Sequence, residues 1–274
     1  MGRFDGRVAL VTGGARGQGR SHAVALAREG ADIVVCDIAE QIESVPYSMG
    51  SEADLAETVQ QVQDLNRRCV AVKADVRSLR EMQVVADRAI SEFGHIDFLL
   101  ANAGIASSSP IAEMSDQQWQ EMIDVNLTGV FHSFRAVVPH MIERGFGRIV
   151  ATASIIARMG GKSSGHYTAA KWGVLGLVKS LALEVAANGI TVNAVLPAGV
   201  NTDQIHHKAA YKLFRPDLDN PTREDVMPLF EAGPGLLEPE DVSNAILFLV
   251  SDERGYLNGE TLTLSAGLSA SNAT

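Results

Sequence analysis

Tyr167 and Lys171 lie four residues apart in Tyr167-Thr168-Ala169-Ala170-Lys171, a spacing that puts a phenol and an ammonium on one face of a helix. A free phenol titrates near ~10 and is a poor acid or base at neutral pH. A cation beside it favours the phenolate and makes proton transfer to or from a bound oxygen feasible. Alone, the pair is an ordinary surface motif, so its meaning depends on the rest of the chain.

A second constellation is the glycine turn Gly13-Gly14-Ala15-Arg16-Gly17-Gln18-Gly19. It follows the apolar run Arg7-Val8-Ala9-Leu10-Val11-Thr12 and precedes a helical stripe of Ala23, Leu26 and Ala27. Gly13 permits a tight turn, Gly17 a close approach of backbone to pyrophosphate, and Gly19 the packing of helix on strand. The N–H groups at the helix start then face the phosphates. The helix stops at Gly30, and the run Asp32-Ile33-Val34-Val35-Cys36 ends in Asp37, 20 positions after Gly17, where an acid binds a ribose hydroxyl. Together these features predict a dinucleotide site. The Asp37 carboxylate repels a 2′-phosphate, and Ile38 beside it brings no compensating charge, so NAD is favoured over NADP; Arg16 is the residue that keeps NADP open.

Further apolar runs at 70–76, 96–101, 149–152, 190–196 and 261–264 are mostly separated by helical patterns. This alternation predicts a single-domain, Rossmann-type α/β fold, a doubly wound parallel sheet of about seven strands with helices on both faces. Ligands of such sheets bind beyond the carboxyl ends of the strands. Those ends carry Asp75-Val76, Asn102-Ala103-Gly104, Ala153-Ser154 and Pro197-Ala198-Gly199, although Ser and Asn there also serve as turn formers.

The segment after Asp37 is acidic: Glu40, Glu43, Glu52, Asp54, Glu57 and Asp64 precede Asn66 with no Lys or Arg among them. Pro46-Tyr47-Ser48-Met49-Gly50 breaks the pattern, and Ser51 with Asp54 resembles a capping box before a helix whose buried stripe is Leu55, Val59, Val62 and Leu65. An insertion over about 38–51 is therefore either a solvated acidic loop or a flap over the adenosine end of a cofactor.

Of the 274 residues, 46% are hydrophobic and 20% charged, which suits one domain with a large core. The net charge of −10 disfavours nucleic acid and anionic membranes as partners. No apolar run reaches the ~18 residues a membrane span needs, and the N-terminus lacks the apolar stretch of a signal peptide, which points to the cytoplasm. Cys36 and Cys69 sit in apolar runs, as reduced buried thiols do. His206 and His207 have no nearby ligand to complete a metal site, so no metal is expected.

In their order and spacing, Thr12-Gly13-x-x-x-Gly17-x-Gly19, Asn102-Ala103-Gly104, Asn126, Ser154 and Tyr167-x-x-x-Lys171 resemble the short-chain dehydrogenase/reductases over essentially the whole chain. The longer segment after Asp37 and the wording Gly17-Gln18-Gly19-Arg20-Ser21-His22 resemble the mycofactocin-associated, carveol-dehydrogenase-like subfamily. The resemblance implies Tyr167 as general acid/base, Lys171 lowering its pKa and gripping the nicotinamide ribose, Ser154 holding the substrate oxygen, and Asn126 positioning a water in a proton relay. It implies cofactor contacts from Gly13, Arg16, Gln18 and Gly19 at the phosphates, Asp37 with Ile38 at the adenosine ribose, and Asp75 with Val76 near adenine. Asn102 and Gly104 are expected near the nicotinamide ribose, and Val200 and Thr202 at the carboxamide. It further implies tightly held NAD, mycofactocin as external electron acceptor, and a homotetramer. The chain departs from the family at Pro197-Ala198-Gly199, where Pro-Gly is usual, and at Leu264-Ser265-Ala266-Gly267, where an Asp is common.

The family places its substrate lid at about 203–239, where Pro216, Pro221, Pro228, Pro234 and Pro239 suit a mobile cover. Leu213, Phe214, Met227, Leu229 and Phe230 are either an apolar pocket for a terpenoid-like alcohol or ordinary packing of the lid. Trp119 and Trp172 read as packing residues, Trp172 at a helix or subunit interface. The expected activity is NAD-dependent interconversion of a secondary alcohol and its ketone; the alternatives are an NADPH-dependent ketoreductase and a non-catalytic dinucleotide-binding protein.

Overall fold

The computed structural model describes residues 2–231, 235–251 and 255–270, with the side chains of 230 and 231 outside the description. Seven parallel strands form one sheet in the order β3-β2-β1-β4-β5-β6-β7. They are β1 (Val8–Thr12), β2 (Asp32–Asp37), β3 (Cys69–Lys73), β4 (Phe98–Ala101), β5 (Gly147–Thr152), β6 (Ile190–Pro197) and β7 (Thr261–Leu264). The inner strands β1, β4, β5 and β6 are buried at every residue, as expected of a sheet covered on both faces, while the edges β3 and β7 are partly exposed.

Alternate side chains of each strand feed two cores. Val8, Leu10 and Val34 point to the face covered by α3 (Leu79–Phe93), α5 (Gly129–Arg144) and α6 (Gly165–Val185). Ala9, Val11, Ile33 and Val35 point to the other, covered by α1 (Gly17–Arg28), α2 (Glu52–Gln63) and α9 (Pro239–Val250). The remaining helices are α4 (Asp116–Ile123), α7 (Lys208–Phe214) and α8 (Arg223–Glu231). From β1 the chain crosses first to β2 and later to β4, so a crevice opens above the carboxyl ends of β1 and β4.

Several strand boundaries differ from the sequence pattern, and two of them have a visible cause. Strand β3 ends at Lys73 rather than Val76, because the Asp75 carboxylate accepts the Arg77 N–H and folds the chain into a turn that leads to the Ser78 cap of α3. Strand β4 begins at Phe98, after the fully buried Asp97. That carboxylate accepts the Val8 N–H at 2.8 Å and faces Arg7, Arg144 and His95 at 3.0–3.2 Å, at the amino ends of the strands.

The segment after Asp37 is folded rather than simply solvated. Ile42 and Val45 are buried in the core, and the Gln41 amide donates to the carbonyls of Ile42, Val45 and Tyr47. It ends at Ser51, which caps α2 in a capping box with Asp54. Both cysteines are free, and among the described residues no helix is long and apolar enough to cross a membrane.

Candidate active site

Three contiguous cavities line the crevice, and Gly104 borders all of them. The central one, about 300 Å³, runs over the glycine turn: Gly13, Arg16, Gln18 and Gly19 line it, with Asp37 at one end and Asn102 and Thr202 at the other. A smaller one of about 80 Å³ collects Asn126, Ser154, Tyr167, Lys171 and Val200. The third, about 70 Å³, lies beyond Asp37 and is walled by Ile38, Asp75 and Val76. Every site residue expected from the sequence thus borders one continuous cleft.

The turn geometry is set by space. Gly13 has φ +68°, and a Cβ there would stand 2.8 Å from the Ala103 Cα; a Cβ on Gly19 would stand 2.0 Å from the Gly13 carbonyl oxygen. The cleft-facing Gly17, at φ +54°, has only the Thr202 side chain near its missing Cβ. Thr58 of α2, fully buried, holds the turn from below by donating to the Gly14 carbonyl at 2.8 Å. Asp37 accepts the Ala15 and Ala39 N–H groups at 3.1 and 3.0 Å, which fixes the carboxylate at the end of the cleft. Asp75 is engaged by the Arg77 guanidinium at 2.7 Å, so its carboxylate is already paired at the far end.

Arg16 occupies a different place from a free phosphate-binding cation. Its guanidinium bonds Asp203 at 2.7 Å and the Ser48 carbonyl, joining the segment after Asp37 to the chain that follows β6. A 2′-phosphate would have to compete with both contacts. Tyr47, from the same segment, accepts the Ala106 N–H at 3.0 Å and lies 5.1 Å, ring to ring, from His207.

Ser154 follows β5 and caps a short 3₁₀ turn, Ile155–Arg158. Tyr167 and Lys171 project from the first turns of α6, with the Lys171 ammonium 5.6 Å from the Tyr167 ring centroid. The side chains of Ser154 and Gln204 share the cavity with Tyr167 and act to lower the pKa of its hydroxyl. Burial raises that pKa and outweighs both, so the expected lowering by Lys171 does not prevail here. Lys171 is 3% exposed; burial brings its ammonium down to about 8, and its proton is donated to the Thr152 carbonyl at 2.8 Å.

Asn126 sits in a π-helical turn, Asp124–Thr128, inserted between α4 and α5. Its amide nitrogen donates to the carbonyls of Ile105 and Met122, which leaves the buried Oδ1 with no protein partner and aimed at Gly104. A Cβ on Gly104 would stand 2.7 Å from that oxygen and 3.5 Å from the Lys171 Nζ. Gln18 Oε1 is likewise buried and unpartnered at the junction of the two cavities. Two orphaned amide oxygens beside the buried Lys171 fit the nicotinamide half of a dinucleotide and an ordered water.

Sequence reasoning missed Gln204, Tyr47, Thr58 and His22. His22, fully buried on α1, bonds Ser243 of α9 at 2.8 Å, and burial lowers its pKa to about 3, so it stays neutral as a strut beside Asn102. Although His22 closes the motif that begins at Gly17, no periodicity or spacing assigns these residues their partners, because each acts across a long stretch of chain. Of the two readings of the lid's apolar residues, a substrate pocket or ordinary packing, the described residues do not form the pocket at Tyr167. Leu213 and Leu229 are exposed, and neither they nor Phe214 and Met227 wall the cavity at Tyr167, whose lid-side walls are Gln204 and Ile205. The Phe230 side chain and Pro234 lie outside the described residues. Among the described residues no group of His, Cys, Asp and Glu is placed to hold a metal.

The sheet order, the glycine turn and the Ser–Tyr–Lys cavity define an oxidoreductase of the Rossmann type, and a family model described as short chain dehydrogenase matches residues 7–212. The chain belongs to the short-chain dehydrogenases. It is 44% identical to (-)-trans-carveol dehydrogenase of Rhodococcus erythropolis, over 97% of this chain and 99% of that protein. The crystal structure of carveol dehydrogenase from Mycobacterium avium in complex with NAD superposes with a TM-score of 0.93 at 43% identity, covering 97% of this chain and 98% of that one. An NAD-bound short chain dehydrogenase from Mycobacterium paratuberculosis gives 0.90 at 33% identity, over 98% of this chain and all of that one (100%).

Proposed function

We propose that the protein is an NAD-dependent alcohol dehydrogenase that interconverts a hydrophobic, terpenoid-like secondary alcohol and its ketone. The observation that carries this reading is the gathering of Asn126, Ser154, Tyr167 and Lys171 in one cavity that opens onto a cleft ending in Asp37. When bound, the nicotinamide supplies or accepts the hydride. Ser154 and Tyr167 hold the substrate oxygen; in reduction the Tyr167 phenol, whose protonated form burial favours, gives its proton to the carbonyl oxygen, and in oxidation Tyr167, having first released its proton to the relay, takes the alcohol proton as the phenolate. Lys171 grips the nicotinamide ribose, and the Asn126 Oδ1 accepts from a water that passes the proton outward by way of Lys171.

Preference for NAD rests on the Asp37 carboxylate and on Arg16 being bound to Asp203 and Ser48. The substrate class rests on the similarity to carveol dehydrogenases. The segment 38–51 is a flap over the cleft and 203–239 the substrate lid. Their junction at Arg16 supports slow cofactor release, with electrons passing to an external acceptor such as mycofactocin. Turnover with an acceptor dye and no added NAD checks that point; a purified protein free of NAD argues against it.

The central test is a panel of secondary terpenoid alcohols assayed with NAD and NADP. Tyr167→Phe is expected to lower kcat by about 10²–10⁴-fold while NAD binding persists. Full turnover in that variant sinks the assignment.

A further inference from the structure

Helix α6 carries Tyr167 and Lys171, and Trp172 follows the lysine directly. The Trp172 indole N–H donates to the Ile156 carbonyl at 2.9 Å and stands 3.5 Å from the Met159 carbonyl. Ile156 lies in the 3₁₀ turn Ile155–Arg158 that Ser154 caps. It is held at its other polar group too, because its N–H donates to the Ser154 hydroxyl oxygen at 3.3 Å. The Ala157 N–H closes the turn on the Ser154 carbonyl at 2.9 Å, and the Arg158 guanidinium ties the same turn to the Thr261 hydroxyl of β7. With its oxygen accepting from the backbone, the Ser154 hydroxyl keeps its proton for a partner in the cavity that it shares with Tyr167 and Lys171.

We propose that Trp172 is a positioning residue for Ser154: the indole fixes the Ile156 carbonyl and, through Ile156, the direction of the Ser154 hydroxyl. The inference rests on the dehydrogenase reading above, in which Ser154 and Tyr167 hold one substrate oxygen. Tyr167 and Lys171 stand on a long helix, whereas Ser154 stands at the head of a four-residue turn with few backbone bonds of its own. Donors that meet a developing charge must be held to within about 0.5 Å, which such a turn does not secure unaided. The indole ties the turn to the helix that carries the other two groups, so α6 sets the mutual geometry of all three. Packing alone does not account for the contact: the Trp172 residue is 52% exposed, yet its one polar atom is aimed at the turn and not at solvent.

The experiment compares Trp172→Phe, which keeps an aromatic ring and loses the N–H, with Trp172→His, whose five-membered ring carries a nitrogen at the place of the indole nitrogen. For a secondary alcohol that the wild type oxidises, Trp172→Phe is expected to lower kcat about fivefold, the scale of one hydrogen bond, with NAD affinity unchanged. Trp172→His is expected to restore most of that loss. In a Ser154→Ala background Trp172→Phe is expected to cost nothing further, since the group it positions is gone. An unchanged kcat in Trp172→Phe overturns the proposal, as does an equal loss with and without Ser154, the mark of a role in packing or assembly; equal losses in the Phe and His variants assign the effect to ring size and overturn it too. A second readout needs no turnover: backbone hydrogen exchange over 154–159, followed by mass spectrometry, reports the Ile156 N–H. It is expected to quicken in Trp172→Phe and to return in Trp172→His, and unchanged exchange also overturns the proposal. If Tyr167→Phe keeps its activity while this exchange quickens, the dehydrogenase mechanism has failed and the indole contact has not.

Discussion

Lys171 serves two opposing demands: the proposed mechanism needs its charge beside a ribose and a phenol, yet it is almost wholly buried. The fold resolves this by giving the ammonium the Thr152 carbonyl and still brings its pKa from 10.5 to about 8. Below pH 8 the residue is protonated in folded and unfolded chains alike, and the native state carries the full cost of the buried charge. Between pH 8 and 10.5 the unfolded chain keeps a proton that the folded one has released, so this residue makes stability rise with pH across that window. Lys171→Met removes the dependence. Relative to the variant, the cofactor-free wild type should gain about 3 kcal/mol over the window, read by chemical denaturation at each pH; a constant difference would mean that Lys171 is not titrating there. At this scale the sequence was informative where chemistry follows helical period, as with Tyr167 and Lys171. It was silent on Gln204, whose place in the cavity at Tyr167 depends on how a long connection folds back, and it misjudged the phenol's pKa because burial cannot be read from spacing.

The segment between β2 and α2 borders the cleft and is tied across it, through Arg16, to the chain that follows β6. Its glutamates, with no Lys or Arg to offset them, suggested a solvated loop as readily as a flap, whereas its folded form is decided by Ile42, Val45 and Tyr47. The capping box at Ser51 was legible, being purely local, but the buried bond from Thr58 to the Gly14 carbonyl was not. Arg16 links this segment to Asp203, so Arg16→Ala is expected to speed NAD release about tenfold in a stopped-flow displacement experiment, with kcat affected less. The exposed Asp203 limits what the ion pair itself contributes, and an unchanged release rate would assign retention to the cleft walls alone.

At the scale of the molecule, strand count, parallel order and the two-sided core followed from alternating apolar runs, since a buried parallel strand must be apolar throughout. Whether the lid's apolar residues wall a pocket did not follow, because apolar residues in a Pro-rich segment carry no period that says which way they face. The adjoining helices α4, α5 and α6 expose Trp119, Phe131, Ile142, Trp172 and Leu183, apolar side chains that a partner subunit would cover. Trp172 is anchored there by donating to the Ile156 carbonyl, just beyond Ser154. A homotetramer that covers this surface predicts that Leu183→Asp, at 84% exposure, yields smaller species by light scattering; a wild type that is monomeric at micromolar concentration would remove the basis for it.

The π-turn at Asp124–Thr128 makes the proposed proton path a matter of chain length as much as of side-chain identity. A widened turn carries one residue more than regular winding allows, and each residue of an α-helix advances the azimuth by about 100°. Deleting a single position there, with Asn126 itself retained, would rewind α4 and α5 into one regular rod and rotate the amide oxygen out of line with Gly104 and Lys171. Every catalytic group would still be encoded, but the relay would be out of phase by one residue.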